Sequence, residues 1–330
     1  MRGRAGPAGG VKVHDASLRY FLEVVRVGSI AEASDRLNVA ASAISRQIAK
    51  LEAELGTPLF ERRPRGMVPS AAGELLAQHA RRTVLGAEQV LTEIRRLKGL
   101  ERGLVRMGCT EGFATDFLPG AIGNFRNTYP GIAFEMQVST PRVITRMVRE
   151  GDVDIGLSFG FVPDPSVHVE FSGSAPLMAL MAPDHPLANL PFVTLADIAA
   201  FPVGLPSEDT TARQLFDLAC GVEGIAVEPV LTTNYMAGLW RFAEVAGGIT
   251  MTGRITAMSR ISRFRLRALP LRTKAPNERR YEIQTMLGRI LPEAAHVFVA
   301  YLKAQLSRIE RAGDQPLDLA ERAEPPLQKP

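Results

Sequence analysis

The stretch NVAASAISRQIAKLE, residues 38–52, decides how the rest of the chain is interpreted. Ile44, Ile48, Leu51 and Leu55 recur at positions i, i+4, i+7 and i+11, which predicts a helix with one buried face. The opposite face carries small residues and long basic side chains: Ser42, Ser45, Arg46, Ala49 and Lys50. Small residues let a helix approach the floor of the major groove, where Arg and Lys reach guanine acceptors or phosphates. The pattern also suits an amphipathic surface helix in an ordinary bundle.

Two further helices precede this stretch. Residues 16–27 carry apolar side chains at helical spacing and stop at Gly28. Ser29 opens the next apolar segment, and Glu32 follows three positions later, which is the arrangement of a capping box. Asn38 and Val39 make a tight turn before the basic helix. Two short helices joined in this way, the second with a small and basic outer face, predict a helix-turn-helix.

A short basic hairpin follows in TPLFERRPRGMVPS, residues 57–70. One strand begins at Leu59 and Phe60, the chain turns at 63–66, and the second strand returns through 67–68. A basic hairpin directly after a recognition helix is a wing, which places arginines along the phosphates or in the minor groove. The predicted DNA contacts are Ser29, Ser42, Ser45, Arg46, Lys50, Arg62, Arg63 and Arg65.

A long helix is predicted next, over about residues 71–98. Its apolar positions are spaced 4-3-4-3-4-3, which is a heptad seam that favours pairing with a second copy of the chain. Packing of this seam on its own domain is the alternative. The seam consists of Leu76, Ala80, Thr83, Ala87, Val90, Ile94 and Leu97. The predicted domain bounds are a disordered arm at 1–14, a winged helix-turn-helix at 15–73 and a linker and dimerisation helix at 74–100.

Residues 18–80 resemble the DNA-binding region of the LysR-type transcriptional regulators. The order of elements is that of the family: helix, helix-turn-helix, the motif LG-x-PLFER, wing, the motif AGE and linker helix. The family often has Ser-Gln-Pro where this chain has Ala40, Ala41 and Ser42. Ala40 cannot cap the recognition helix as Ser would, a loss of about 1 kcal/mol. Ala41 lacks an amide that could read adenine.

From Leu104 onward the pattern changes to alternating strands and helices, in one series up to about Pro183 and a second series after it. A strand at 281–288 and a helix at 292–309 return to the first series. Other strands are expected at 104–110, 132–138, 153–159, 201–206, 226–232 and 248–252. This part is similar to the two-lobed, periplasmic-binding-protein-like α/β effector domain of the LysR family, predicted at 101–310 before a flexible tail at 311–330. The predicted fold class is therefore α+β multidomain.

Hydroxyl and amide side chains follow several of these strands at the starts of helices. Ligands of such open sheets lie beyond the carboxyl ends of the strands. Converging helix starts favour an anionic group such as a carboxylate. Glu111 suits an amino or hydroxyl group instead, and each of the other residues could be a simple helix cap. The candidate effector-binding residues are Thr110, Glu111, Ser139, Thr140, Phe159, Ser207, Thr210 and Asn234.

Charge and composition fit these assignments. Residues 1–100 carry a net charge of +6, whereas residues 101–330 carry −2, which suggests that the front of the chain meets a polyanion. Two cysteines are too few for a disulfide framework, so the reducing cytoplasm is the expected compartment. The sequence has no apolar run near the roughly 18 residues that span a bilayer. The five histidines show no metal-ligand spacing, and no cofactor is expected.

The sequence as a whole predicts a one-component transcriptional regulator and not an enzyme. Its expected partners are double-stranded DNA, a small-molecule effector and further copies of itself in a homodimer or homotetramer, with RNA polymerase as a further possible partner. The alternatives are a cytoplasmic enzyme or a small-molecule-binding protein built on the two-lobed body. No catalytic cluster supports the enzyme.

Overall fold

The protein is described by a computed structural model over residues 16–63, 66–96, 103–257, 266–275 and 279–311. The chain divides near residue 100 into two compact units. Several predictions lie outside the described residues: the arm at 1–14, the tail after Arg311, Arg65 and Leu97. The side chains of Arg62 and Ile94 also lie outside them.

The N-terminal unit is a winged helix-turn-helix with a long helix at its end. Its elements are α1 Ala16–Val27, α2 Ile30–Leu37, α3 Ala41–Leu55, β1 Phe60–Arg63, β2 Gly66–Pro69 and α4 Ala71–Arg96. Apolar faces of the helices meet the base of the hairpin in one core, where Phe21, Ile44 and Leu59 are fully buried. Leu55 was predicted to share this core but is 52% exposed, because it ends α3 directly before the left-handed turn at Gly56.

The wing contacts the end of α1 at two glycines, Gly28 and Gly66. β1 and β2 pair in antiparallel register from Phe60 with Pro69 to Arg63 with Gly66. The amide of Met67 donates to the carbonyl of Gly28 at 2.8 Å. Gly66 has a φ of +121°, and a Cβ there would lie 2.5 Å from the carbonyl oxygen of Gly28. Only glycine permits this approach, so the orientation of the wing depends on it.

The C-terminal unit contains two lobes with one five-stranded sheet each. The lobe 1 sheet has the order β4-β3-β5-β12-β6, with β3 parallel to β4 and β5, and β12 antiparallel to β5 and β6. Its strands are β3 Gly103–Cys109, β4 Ile132–Val138, β5 Ile155–Gly160, β6 Val167–Ser174 and β12 Arg280–Met286. The helices of this lobe are α5 Glu111–Ala114, α6 Phe117–Thr128, α7 Pro141–Glu150 and the C-terminal helix Glu293–Arg311.

Lobe 2 has the same plan. Its sheet has the order β11-β7-β10-β8-β9, with β8 parallel to β9 and β10, and β7 antiparallel to β10 and β11. Its strands are β7 Leu177–Met181, β8 Val203–Pro206, β9 Leu231–Thr233, β10 Ile249–Gly253 and β11 Arg267–Pro270. The helices of this lobe are α8 Leu195–Ala199, α9 Thr211–Glu223 and α10 Met236–Val245.

The chain crosses between the lobes after β6 and returns before β12, and the segment that follows β10 also reaches the lobe 1 core through Ile255. Two hydrogen bonds connect the segments after β6 and before β12. The amide of Ala175 donates to the carbonyl of Arg279 at 2.8 Å, and Arg279 Nη1 donates to the carbonyl of Ala175 at 3.3 Å. The predicted return of the C-terminus to the first series is therefore confirmed. Each lobe has its own apolar core, so the crossing is a natural hinge.

Some boundaries in this unit were predicted wrongly. The strand expected at 226–232 is reduced to Leu231–Thr233, because Pro229 has no amide to donate to a ladder. Among the described residues, the strands β6, β7 and β11 and the helix α8 were not predicted. β7 is buried at all five positions, so its sequence lacks the alternation that marks a half-buried strand.

Candidate functional site

The outer face of the recognition helix α3 is exposed, as its sequence predicts. Ser42, Ser45, Arg46 and Lys50 are all exposed, whereas Ile44 beneath them is fully buried. Arg46 Nε donates to the carbonyl of Ser42, one turn back, at 3.3 Å. The Lys50 ammonium lies 3.7 Å from Glu54 in an exposed pair. Such exposed contacts are weak, so both basic side chains are free to reach a new partner.

The start of this helix has no side-chain cap, as expected from Ala40. Ser29, by contrast, has a structural role, because its hydroxyl accepts the amide of Glu32 at 3.4 Å and caps α2. The predicted capping box is only half formed: the Glu32 carboxylate pairs with Arg36 at 2.9 Å. On the wing, Arg63 is exposed and pairs with Glu61 at 2.9 Å.

The predicted seam on α4 has a mixed environment within one chain. Leu76 is half-buried against the winged-domain core, so at this first position the alternative of packing on its own domain holds. Ala80 is buried, and Ala87 is half-buried. Thr83 is exposed and donates its hydroxyl to the carbonyl of His79 at 3.0 Å. Val90 is 49% exposed, so this position of the seam is open to a partner.

A cavity of about 310 Å³ lies between the two lobes of the C-terminal unit. This volume is at the lower end of the range for small-molecule sites. Seven of the eight candidate effector residues line it: Thr110, Glu111, Ser139, Thr140, Phe159, Thr210 and Asn234. Ser207 does not line it; its carbonyl instead accepts the amide and the hydroxyl of Thr210 in the turn before α9.

The helix starts around the cavity differ in how they are capped. Thr210 caps α9, since its hydroxyl accepts the amide of Arg213 at 3.3 Å. Thr140 precedes α7 and gives it no side-chain hydrogen bond. The hydroxyls of Thr110 and Thr252, one from each lobe, are buried on the cavity wall without a hydrogen-bond partner among the described residues. A buried polar group without a partner costs about 1–3 kcal/mol, which a ligand can recover.

Arg279 is the cation of the cavity wall, and sequence reasoning missed it. It is 5% exposed, its Nε donates to Thr211 Oγ1 at 2.8 Å, and its guanidinium carbon lies 3.9 Å from the centre of the Phe159 ring. Among the described residues, no carboxylate pairs with it. Burial lowers the pKa of Arg279 to about 9, so it remains charged at neutral pH. The sequence does not separate Arg279 from the adjacent Arg280, because the two differ in burial and Arg280 is exposed.

Two acidic residues also border the cavity. Glu111 Oε1 accepts the backbone amide of Met236 at 3.1 Å, which places a lobe 1 carboxylate at the start of a lobe 2 helix. The sequence suggested that Glu111 binds an amino or hydroxyl group of the ligand, but in the structure its carboxylate already binds the amide of Met236. Asp209 lies on the wall near the start of α9. Among the described residues, the wall thus combines one buried cation with two carboxylates.

Cys109 ends β3 directly before Thr110 and is fully buried. Burial raises the pKa of its thiol to about 12, so it is protonated at neutral pH and a poor nucleophile. Within the described residues, no group of three His, Cys, Asp or Glu side chains is placed to hold a metal ion. No helix in the described part of the chain is long and apolar enough to cross a membrane.

A winged helix-turn-helix followed by a two-lobed α/β domain with a cavity at its hinge defines a ligand-controlled DNA-binding regulator. Two family models match the chain: "Bacterial regulatory helix-turn-helix protein, lysR family" over residues 16–74 and "LysR substrate binding domain" over residues 98–307. The chain therefore belongs to the LysR family of transcriptional regulators, and the predicted family and fold class are confirmed.

Individual relatives and structures agree with this assignment. The SDS degradation transcriptional activation protein of a Pseudomonas species is 28% identical over 286 residues, which cover 84% of this chain and 92% of that protein. A full-length variant of OxyR from Pseudomonas aeruginosa has a similar fold, with a TM-score of 0.65, 17% identity and coverage of 94% of this chain and 100% of that chain. Full-length CbnR complexed with its target DNA has a TM-score of 0.52 and 19% identity, covering 87% and 98%.

Proposed function

We propose that this LysR-type regulator responds to a small effector bearing one carboxylate, which binds in the cavity between the lobes. The observation that carries this proposal is Arg279, a buried guanidinium on the cavity wall without a carboxylate partner among the described residues. A buried charge without a counter-charge is unfavourable, and a planar guanidinium can hold a carboxylate through two parallel hydrogen bonds. The seven candidate residues on the wall would complete the site.

The apolar part of the effector would lie against the aromatic wall. Phe159 stacks on Phe113 with ring centroids 4.7 Å apart, and Val138 and Met236 add further apolar surface. The hydroxyls of Thr110 and Thr252 would bind a polar substituent or the second carboxylate oxygen. A small carboxylic acid with an apolar body and few polar groups fits this distribution best.

On the DNA side, Ser42, Ser45, Arg46 and Lys50 would enter the major groove, and Arg62, Arg63 and Arg65 would follow the phosphates. The similarly folded CbnR was solved in complex with its target DNA, which supports DNA binding by this fold. Two copies would pair through the exposed part of the α4 seam, in a homodimer or homotetramer. A DNA-binding regulator of this kind acts in the cytoplasm, where RNA polymerase would be a further partner.

Thermal unfolding of the full chain tests the effector proposal. We expect a carboxylate to stabilise the protein in a concentration-dependent way, because it binds only the folded form. Each acid is matched with its neutral amide: benzoate with benzamide, lactate with lactamide and butyrate with butyramide. Equal stabilisation by an acid and its amide, or stabilisation by the amides alone, would contradict the role of Arg279.

A further inference from the structure

The start of helix α10 is capped by a residue from the opposite lobe. Tyr235 occupies the N-cap position and makes no side-chain capping hydrogen bond. Met236 is the first helical residue, and its amide has no partner inside the helix. That amide donates to Glu111 Oε1 at 3.1 Å. The acceptor for the Met236 amide is therefore a lobe 1 side chain 125 positions away, in place of a capping side chain next to α10.

The backbone beside Glu111 is held firmly in lobe 1. A Cβ at Gly112 would lie 2.7 Å from Thr256 Oγ1 and 3.0 Å from the Phe159 ring. The carbonyl of Gly112 also accepts the Thr256 hydroxyl at 3.3 Å. Thr256 follows the lobe 2 strand β10, but on either side of Glu111 the chain is tied to lobe 1: the amide of Thr110 donates to the carbonyl of Leu157 at 3.0 Å, and Phe113 is fully buried in the lobe 1 core. Glu111 cannot follow α10 if lobe 2 rotates away.

We propose that Glu111 is a latch that holds the two lobes closed around the cavity. A carboxylate at a helix start is favourable because it satisfies free amides and opposes the helix dipole. The contact exists only while the lobes are together, so it biases the hinge towards closure. The loss of one cap corresponds to about a fivefold change in an equilibrium constant. Its regulatory meaning rests on the proposed effector function, but the latch itself does not.

Amide hydrogen exchange of the full chain, without effector or DNA, measures the latch directly. We expect Glu111→Ala to speed exchange of the Met236 amide by about fivefold or more, because that amide loses its acceptor. Glu111→Gln retains an acceptor oxygen without the charge, so its effect should be smaller. Glu223→Ala is the matched control, because Glu223 accepts the amide of Lys274 at 2.8 Å within lobe 2. It should change exchange at Lys274 and not at Met236.

The distance between the lobes is the second measurement. Nitroxide labels on Arg126→Cys in lobe 1 and Val222→Cys in lobe 2, in a Cys220→Ser background diluted with unlabelled protein, report the hinge by electron–electron resonance. We expect one narrow distance distribution with Glu111 present and a broader or longer one with Glu111→Ala. Faster exchange at Met236 with an unchanged distance would reduce Glu111 to a helix cap and overturn the latch. Unchanged exchange in both Glu111 variants would overturn the contact itself.

Discussion

Replacement of Gly66 by Ala tests how the wing is held beside the recognition helix. Gly66 has a φ of +121°, and an added Cβ would lie 2.5 Å from the carbonyl oxygen of Gly28. A backbone in such a region costs a side-chain-bearing residue on the order of 1–3 kcal/mol, and the clash with a main-chain oxygen adds to this. We expect the hydrogen bond from Met67 to Gly28 to open about 5- to 150-fold more often, since 1.4 kcal/mol corresponds to a factor of ten.

Two other glycine-to-alanine variants separate the clash from the backbone effect. Gly56 has a φ of +66° and no atom within 4 Å of its Cβ position, so Gly56→Ala should cost only about 1–2 kcal/mol. Gly86 lies in helix α4 with open space around it, so Gly86→Ala should stabilise the helix by about 0.5–1 kcal/mol.

The assays for this series are amide exchange at Met67 and the fluorescence anisotropy of a labelled duplex. Gly66→Ala should accelerate exchange and weaken binding to every duplex alike, because the wing is proposed to contact phosphates and not bases. Gly86→Ala should do neither. If Gly66→Ala exchanged no faster at Met67 than Gly56→Ala, the close approach of the wing to Gly28 would be refuted.

Three further predictions concern the two candidate sites. Arg46→Ala should lower the affinity for the operator more than the affinity for random DNA. Arg63→Ala should lower both affinities alike and reduce the slope of log affinity against log salt concentration by about 0.9. Anisotropy titrations at several salt concentrations measure this slope, and an unchanged slope would contradict the wing assignment. Thr110→Val should lower the calorimetric affinity for a stabilising carboxylate. Thr250→Val, which removes a buried hydroxyl away from the cavity wall, should leave this affinity unchanged. Equal losses of affinity in the two variants would indicate a general packing effect. Iodoacetamide at pH 8 should alkylate Cys220 before Cys109, as followed by mass spectrometry, and early alkylation of Cys109 would contradict its burial. Chemical denaturation should show the free energy of unfolding falling as the pH rises from about 9 towards 12, because the Cys109 thiol ionises in this range in the unfolded chain and not in the folded one.

The winged domain could be predicted closely because local patterns determine it. The buried stripe beginning at Ile44 and the turn predicted at 63–66 indicate a helix and a hairpin without reference to distant residues. Leu55 shows the limit, because spacing alone does not reveal where a helix runs past its core. Leu76 shows a second limit, because one apolar residue can satisfy a heptad seam and a domain core equally well.

The cavity could be predicted only in part. Residues that follow strands, such as Thr110 and Asn234, are identified by the general position of ligands in open sheets. Arg279 and Thr252 could not be found in this way, because their importance comes from burial at the hinge and in the centre of a sheet. The contact of Glu111 with Met236 joins residues 125 positions apart and depends on how the lobes close, which a sequence pattern does not encode.

The most direct test of the central claim, that Arg279 binds the carboxylate of the effector, is a calorimetric titration of the protein and of Arg279→Gln with one stabilising acid and its amide. We predict that the variant loses at least tenfold in affinity for the acid, as expected for a charge-assisted pair worth about 1.5–3 kcal/mol, while the weak affinity for the amide is unchanged. Arg279→Lys should fall between the two. Equal losses for acid and amide, or no loss for the acid, would contradict the account.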